Sequence, residues 1–386
     1  MHVLTSVSPV KTEIGTLFPK DGSPAGTRTT TDTGKKVIQA ALRAAGSSDA
    51  KTAADQIMNE KAWRFKYTKY YETLVRAGAS DKDAAINSAK AGFDWIYDNF
   101  EFSKDGKITK FREAMQSATS TSLETGIIKG SKPKGASVYR VPFDGPWHPA
   151  TPNPPAAGAV LEGHSLKAQL NKWSDNGIVE KDAADAIAWT SDYFNGKNDL
   201  SHCYFVMIGA SSAMGPYAKL LEHGANIVAL DIPGKWGSAA KPTIWRHLIH
   251  TAKESNGTVT FPLSKAQKEC TDESSLAEAA GADLTVQPFE IAKWLETWAA
   301  TIPKDAPIVI GNYTYFDADV HVKLSLCADV LIQTLRKVRP NTAVAFLGTP
   351  TDFHAIPGEL SIFFLQYLIL VMSYHLYTLE TATMSE

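Results

Sequence analysis

Between residues 203 and 347, short unbroken apolar runs alternate with stretches of helical periodicity. The runs at 203–208, 226–230, 283–286, 307–310 and 342–347 have the length and texture of strands buried on both faces of a parallel sheet. Between them, 216–223, 243–252, 289–300 and 319–336 place apolar residues three and four apart, the spacing of helices with one buried face. Gly224 follows the first of these, where a helix commonly ends on a left-handed residue. Strand and helix in alternation predict right-handed crossovers and an α/β fold with a doubly wound parallel sheet.

The pattern upstream is different. Residues 35–45 and 53–77 predict helices, Gly78 a stop, and Ser80 the N-cap of a further helix reaching Tyr97. Helical texture returns at 165–173 and 181–194. Between 129 and 158, Pro133, Pro142, Pro146, Pro149, Pro152, Pro154 and Pro155 exclude a regular helix. The resulting division is a flexible arm (1–30), a helical region (31–128), a Pro/Gly-rich linker (129–160), a helical lead-in (161–200), an α/β domain (201–356) and an apolar tail (357–386). Residues 360–379 approach the length of a membrane span, but Gln366, Ser373 and His375 interrupt them. They read first as a helix buried against the sheet and second as a membrane contact; left exposed, they would favour an oligomer.

Composition narrows the classes of function. A chain of 386 residues that is 44% hydrophobic, with a formal net charge of -2, has no general attraction for nucleic acid or anionic membrane. Trp63, Phe65, Tyr67, Tyr70 and Tyr71 alternate with Lys61, Arg64, Lys66 and Lys69, and read as a helix with an aromatic core face and a solvated basic face. Cys203, Cys270 and Cys327 are too widely spaced for a disulfide framework or a zinc site, which points to a reducing compartment. The first ten residues lack the basic and apolar regions of a secretory signal, so the cytoplasm is expected, with organellar import as the alternative. Residues 103–108 look like the centre of a calcium loop, but aligning Gly106 places Arg112 where a bidentate glutamate is required.

The chemistry is concentrated in Gly209-Ala-Ser-Ser-Ala-Met-Gly215, between the first expected strand and its helix. Glycines there allow a tight turn and let backbone amides approach a pyrophosphate, with a helix N-terminus behind them. A similar turn holds the methionine part of S-adenosylmethionine in methyltransferases, and the same residues also suit a plain tight connection. The motif resembles that of the short-chain dehydrogenase/reductase family, which reads Thr-Gly, three residues, Ala or Gly, one residue, Gly. Ile208-Gly209-Ala-Ser-Ser-Ala213-Met214-Gly215 fits it except at the leading threonine. The continuation from Lys219 to Asp231 is similar to that family's first helix and second strand.

The resemblance implies a Rossmann fold in which Gly209, Ser211, Ser212, Ala213, Met214 and Gly215 meet the cofactor. Asp231 would bind the adenosine ribose, favouring NAD over NADP because a carboxylate repels a 2′-phosphate, with Lys235 nearby softening that preference. Asn312 stands where relatives carry Asn-Asn-Ala-Gly and would line the cofactor. The implied activity is oxidoreduction of a small carbonyl or alcohol. The family's catalytic Tyr-x-x-x-Lys has no counterpart, since no lysine follows Lys337. Thr349 stands where the family has its serine, and Tyr313, Tyr315, Asp317 and His354 are the other candidates near expected strand ends. The competing expectation is a dinucleotide-binding or scaffold protein without turnover; an S-adenosylmethionine-dependent methyltransferase comes third.

Overall fold

A computed structural model of the chain describes residues 13–23, 26–133, 138–143, 159–196, 198–236, 239–240 and 243–346. From the N-terminus, β1 (Gly15–Leu17) precedes α1 (Thr30–Ala45), α2 (Ser48–Ile57), α3 (Trp63–Lys66), α4 (Thr68–Ser80) and α5 (Lys82–Asn99). Next come β2 (Glu101–Lys104), β3 (Lys107–Lys110), α6 (Phe111–Ser117), β4 (Glu124–Lys129), β5 (Arg140–Phe143) and β6 (Ala159–Glu162). α7 (Gly163–Asp175) and α8 (Lys181–Tyr193) lead into β7 (Tyr204–Ile208), α9 (Tyr217–Glu222) and β8 (Asn226–Leu230). The short pair β9 (Lys235–Trp236) and β10 (Ala239–Ala240) precedes α10 (Thr243–Lys253) and β11 (Thr258–Leu263). A 3-10 turn, Gln267–Glu269, then leads to α11 (Glu273–Ala279), α12 (Pro288–Ala299), β12 (Ile308–Asn312), α13 (Ala318–Val338) and β13 (Ala343–Phe346). The described residues fall into two units, one holding 13–17, 102–109 and 113–346, the other 18–101 and 110–112.

The larger unit is mixed α/β and is organised by a six-stranded, mostly parallel sheet in the order β13-β12-β7-β8-β11-β4. β7 runs parallel to both neighbours, with Ile208 opposite Leu230 on one side and Asn312 on the other. The exception is β4, antiparallel to β11. Alternate residues of a strand face opposite sides. Accordingly Met207, Ile227, Ala229, Val259 and Phe261 share one core with Tyr217 and Leu221 of α9, Trp245, Leu248 and Ile249 of α10, and Leu276 and Ala277 of α11. Two large aromatics in this core have satisfied polar ends: Tyr217 donates its hydroxyl to Leu248 O (2.9 Å) and Trp245 its indole N–H to Ile232 O (2.8 Å). Tyr204, of the other pleat parity, meets Trp298 of α12 at 6.1 Å between ring centroids.

Several expectations are corrected here. Residues 283–286 are not a strand, because the Asp283 side chain accepts from Thr285 N and Oγ1 (2.8 and 2.7 Å), curling the chain into α12. The third parallel strand is β11 instead, and its Pro262 lies beyond the three residues that pair with β8. β2, β3 and β4 all fall inside the stretch read as helical. β2 and β3 form a hairpin whose two-residue turn, Asp105-Gly106, has the positive φ values (52° and 77°) that Asp-Gly accommodates, in place of any calcium loop. Part of the expected flexible arm is ordered as β1: Thr16 N donates to Thr285 O (2.8 Å), and its hydroxyl lies 3.2 Å from the buried Cys327 thiol. The expected linker contains β5, antiparallel to β6, whose Leu161 packs with Leu166 and Leu170 of α7 and Ala184 of α8.

In the smaller unit α1, α2 and α4 bury Ile38, Leu42, Ala50, Ala54, Ile57 and Tyr70 together. The helix expected at 53–77 is broken, because the Glu60 carboxylate accepts from Ala62 N (3.1 Å) and turns the chain between α2 and α3. Asp81, not Ser80, caps α5 by accepting from Asp83 N (2.9 Å). The expected aromatic core face is also smaller than its sequence suggests: Tyr70 is buried and Trp63 partly so, while Phe65, Tyr67 and Tyr71 are exposed. Among the described residues no helix is long and apolar enough to cross a membrane. The tail at 357–386 lies outside them.

Candidate nucleotide-binding site

β7 ends at Ile208 and the chain turns at once on Gly209, whose φ is +80°. A Cβ there would stand 3.0 Å from Thr314 N and from the Tyr313 carbonyl carbon, so glycine is required by both conformation and space. The turn is sewn to the end of β8. Gly209 N and Ala210 N both donate to Leu230 O (2.9 and 3.1 Å), and Ser211 N donates to Asp231 Oδ2 (2.8 Å). Ser212 N then donates to Gly209 O and Gly215 N to Ser212 O (3.1 and 2.9 Å). Of the turn's amides, those of Ala213 and Met214 have no protein acceptor among the described residues. Pro216 disfavours helical geometry at Gly215, so α9 begins only at Tyr217 and is six residues long.

Asp231 follows β8 and is half-buried. Its Oδ1 accepts from Ile232 N at 2.8 Å and its Oδ2 from Ser211 N. Each carboxylate oxygen retains capacity for a second donor, such as a ligand hydroxyl. Asn312 lies across β7 from Asp231's strand, in register with Ile208. Its side-chain oxygen is engaged by Thr314 N and Oγ1 (3.2 and 2.7 Å), so it shapes the following loop. That loop is tied to the first strand by Tyr313 N donating to Ile208 O (2.8 Å).

The Tyr313 ring lies over Gly311, where a Cβ would come within 2.4 Å of it, and beside Gly215, where a Cβ would be 3.6 Å away. Burial pushes its phenol pKa up, which keeps it protonated. Tyr315 is exposed, with its hydroxyl 3.4 Å from Asp317 Oδ1. Thr349 and His354 lie outside the described residues. No cluster of three metal-binding side chains occurs among the described residues.

The structure therefore gathers Gly209, Ser211, Ser212, Ala213, Met214, Gly215, Asp231 and Asn312 at the C-terminal ends of β7, β8 and β12. Gly311 and Thr314 were not singled out in the sequence. An isolated glycine inside a strand, which signals a close approach, was the available clue to the first. A separate cavity of about 800 Å³, bounded by Pro307, Ile308, Val338 and Arg339, lies where β12 begins, at the opposite end of the sheet. Arg339 is consumed there by the carbonyls of Ala299, Ile302, Pro303 and Lys304. No protein-family model, curated protein or solved structure matches this chain.

Proposed function

We propose that the protein is an NAD(P)-dependent oxidoreductase acting on a small carbonyl or alcohol, built on a doubly wound Rossmann sheet similar to that of the short-chain dehydrogenase/reductase family. The carrying observation is the position of the glycine turn. From β7 the chain builds outward through β8 and β11, then returns to place β12 and β13 on the other side. Such a reversal opens a crevice at the carboxyl ends of the strands, where ligands of doubly wound sheets bind. The turn from Gly209 to Gly215 stands there, bonded to Asp231.

In this reading the unspent amides of Ala213 and Met214 receive a phosphate oxygen, and Asp231 accepts from the adenosine ribose hydroxyls. The carboxylate favours NAD over NADP. When bound, the nicotinamide supplies a hydride donor or acceptor. A second reading, dinucleotide binding without turnover, is favoured by one observation. Among the described residues no cation offsets the burial that raises the Tyr313 phenol's pKa, and the Tyr315 hydroxyl faces the Asp317 carboxylate.

The test is a fluorescence titration of the purified protein with NADH and NADPH, and a calorimetric one with S-adenosylmethionine. NADH is expected to bind most tightly, and Gly209→Arg to abolish binding. Single-turnover oxidation of NADH with added aldehydes separates enzyme from binder. Binding of S-adenosylmethionine alone would replace the reading with a methyltransferase, and no binding at all would leave the turn a plain connection.

A further inference from the structure

The β2–β3 hairpin, the chain leaving α6 and the first turn of α12 border a cavity of about 310 Å³ in the larger unit. None of its lining residues belongs to the glycine turn or to β7, β8 and β12. Glu290 is the one carboxylate in its lining, and it is spent: it accepts from Lys104 Nζ (2.6 Å), Gln287 Nε2 (3.1 Å) and Ser122 Oγ (3.2 Å). Lys107 has no carboxylate partner among the described residues, so the cavity keeps an uncompensated positive charge. The hydroxyls of Thr109, Thr119 and Ser120, and the amides of Thr119 and Ser120, are also without protein partners among the described residues. The apolar wall includes Phe102 and Phe289, in edge contact at 4.8 Å between ring centroids. A second cavity, of about 370 Å³, adjoins the first, because Ala118 and Phe289 line both. Its Lys293 is paired with Glu296 at 2.7 Å, while Gln116, Thr334 and Lys337 have no side-chain partner among the described residues.

We infer that the two adjoining cavities bind a phosphate monoester of a small sugar or polyol. Its phosphate is held by Lys107, Thr109 and residues 119–120, and its hydroxylated body reaches towards Gln116 and Thr334. A phosphate monoester carries a charge of about -1.5 to -2 at neutral pH and three strong acceptor oxygens. Those oxygens use an unpaired ammonium and several O–H and N–H donors together. A neutral sugar would leave Lys107 without a counter-charge, and an apolar ligand would leave the hydroxyls unmet. Cavities of a few hundred Å³ are the size that encloses small molecules. The site is independent of the nucleotide reading and shares none of its residues with the glycine turn.

Calorimetric titration of the full chain with ribose 5-phosphate, ribose, inorganic phosphate and a phosphoserine peptide tests the inference. Ribose 5-phosphate is expected to bind about tenfold more tightly than inorganic phosphate, and ribose not to bind. With ribose 5-phosphate present, hydrogen exchange should slow at 107–109 and 117–120 and stay unchanged at 209–217. Lys107→Ala/Thr119→Val removes the charge and one hydroxyl from exposed positions. That variant should melt like the wild type and bind ribose 5-phosphate about tenfold more weakly. No binding of ribose 5-phosphate at millimolar concentrations, equal binding of ribose, or unchanged affinity in the double variant would each overturn the inference. Protection at 209–217 in place of 117–120 would move the phosphate to the glycine turn and overturn it too. Binding of the phosphopeptide in preference to the sugar phosphate would overturn the small-molecule ligand.

Discussion

His223 closes α9 and is buried, with its ring 4.1 Å from Phe194 and 6.2 Å from Tyr139. Burial lowers its pKa below the usual 6.5, because the imidazolium loses hydration in this aromatic surround. A base with a depressed folded-state pKa binds its proton more readily when unfolded. Its contribution to stability is therefore complete above about pH 6.5 and is lost as the pH falls from there through the folded value. Urea unfolding of the wild type should show the midpoint falling between pH 7.5 and pH 5, beyond the decline in His223→Phe, which keeps an aromatic ring but cannot titrate. Equal declines in both proteins would mean that His223 is already accommodated as its cation. At the glycine turn the decisive residue properties are simpler: Gly209 has no Cβ to meet Thr314, and Asp231 has two oxygens with which to hold Ser211 and Ile232.

At the scale of elements, the sheet shows which signals survive in a linear sequence. β7, β8 and β12 are short apolar runs buried on both faces, and such runs are visible without any knowledge of their neighbours. β11 alternates threonine with apolar residues and contains Pro262, so it reads poorly by itself, yet its place between β8 and β4 makes it a strand. The 283–286 run failed in the opposite sense: its apolar texture was outweighed by the local turn that Asp283 imposes. β4 was hidden because an edge strand half open to solvent carries no strong pattern.

The outer edge of β4 is closed by a side chain: Gln267 accepts from Ile127 N (2.9 Å) and donates to Ile127 O (3.2 Å), copying a strand's own pairing. This clip protects an edge that would otherwise be open to another chain. Gln267→Ala is expected to cost about 1 kcal/mol, since two partly solvated hydrogen bonds are lost. Hydrogen exchange should accelerate at Ile127 while residues of β7 stay unchanged. Unaltered exchange at Ile127 would show that the amide adds nothing to strand pairing.

For the whole molecule, the candidate site was legible where it is local and obscure where it is assembled. The turn from Gly209 to Gly215 and Asp231 lie within one strand-helix-strand unit, so spacing alone brought them forward. The Tyr313-Thr314 loop packs on Gly209 only because β12 returns beside β7. No periodicity in the chain announces that return. The same topology puts the proposed nucleotide turn at the β7–β8 boundary with the loop after β12 against it.

The measurement that tests this account most directly is hydrogen exchange by mass spectrometry with and without saturating NADH. Protection is predicted at 209–217, with smaller effects at 230–235 and 312–316, and none at 306–308 or 338–342 beside the cavity at the other end of the sheet. Protection confined to those last segments, or no change at 209–217 under conditions where NADH is bound, would contradict the assignment of the glycine turn as the nucleotide site.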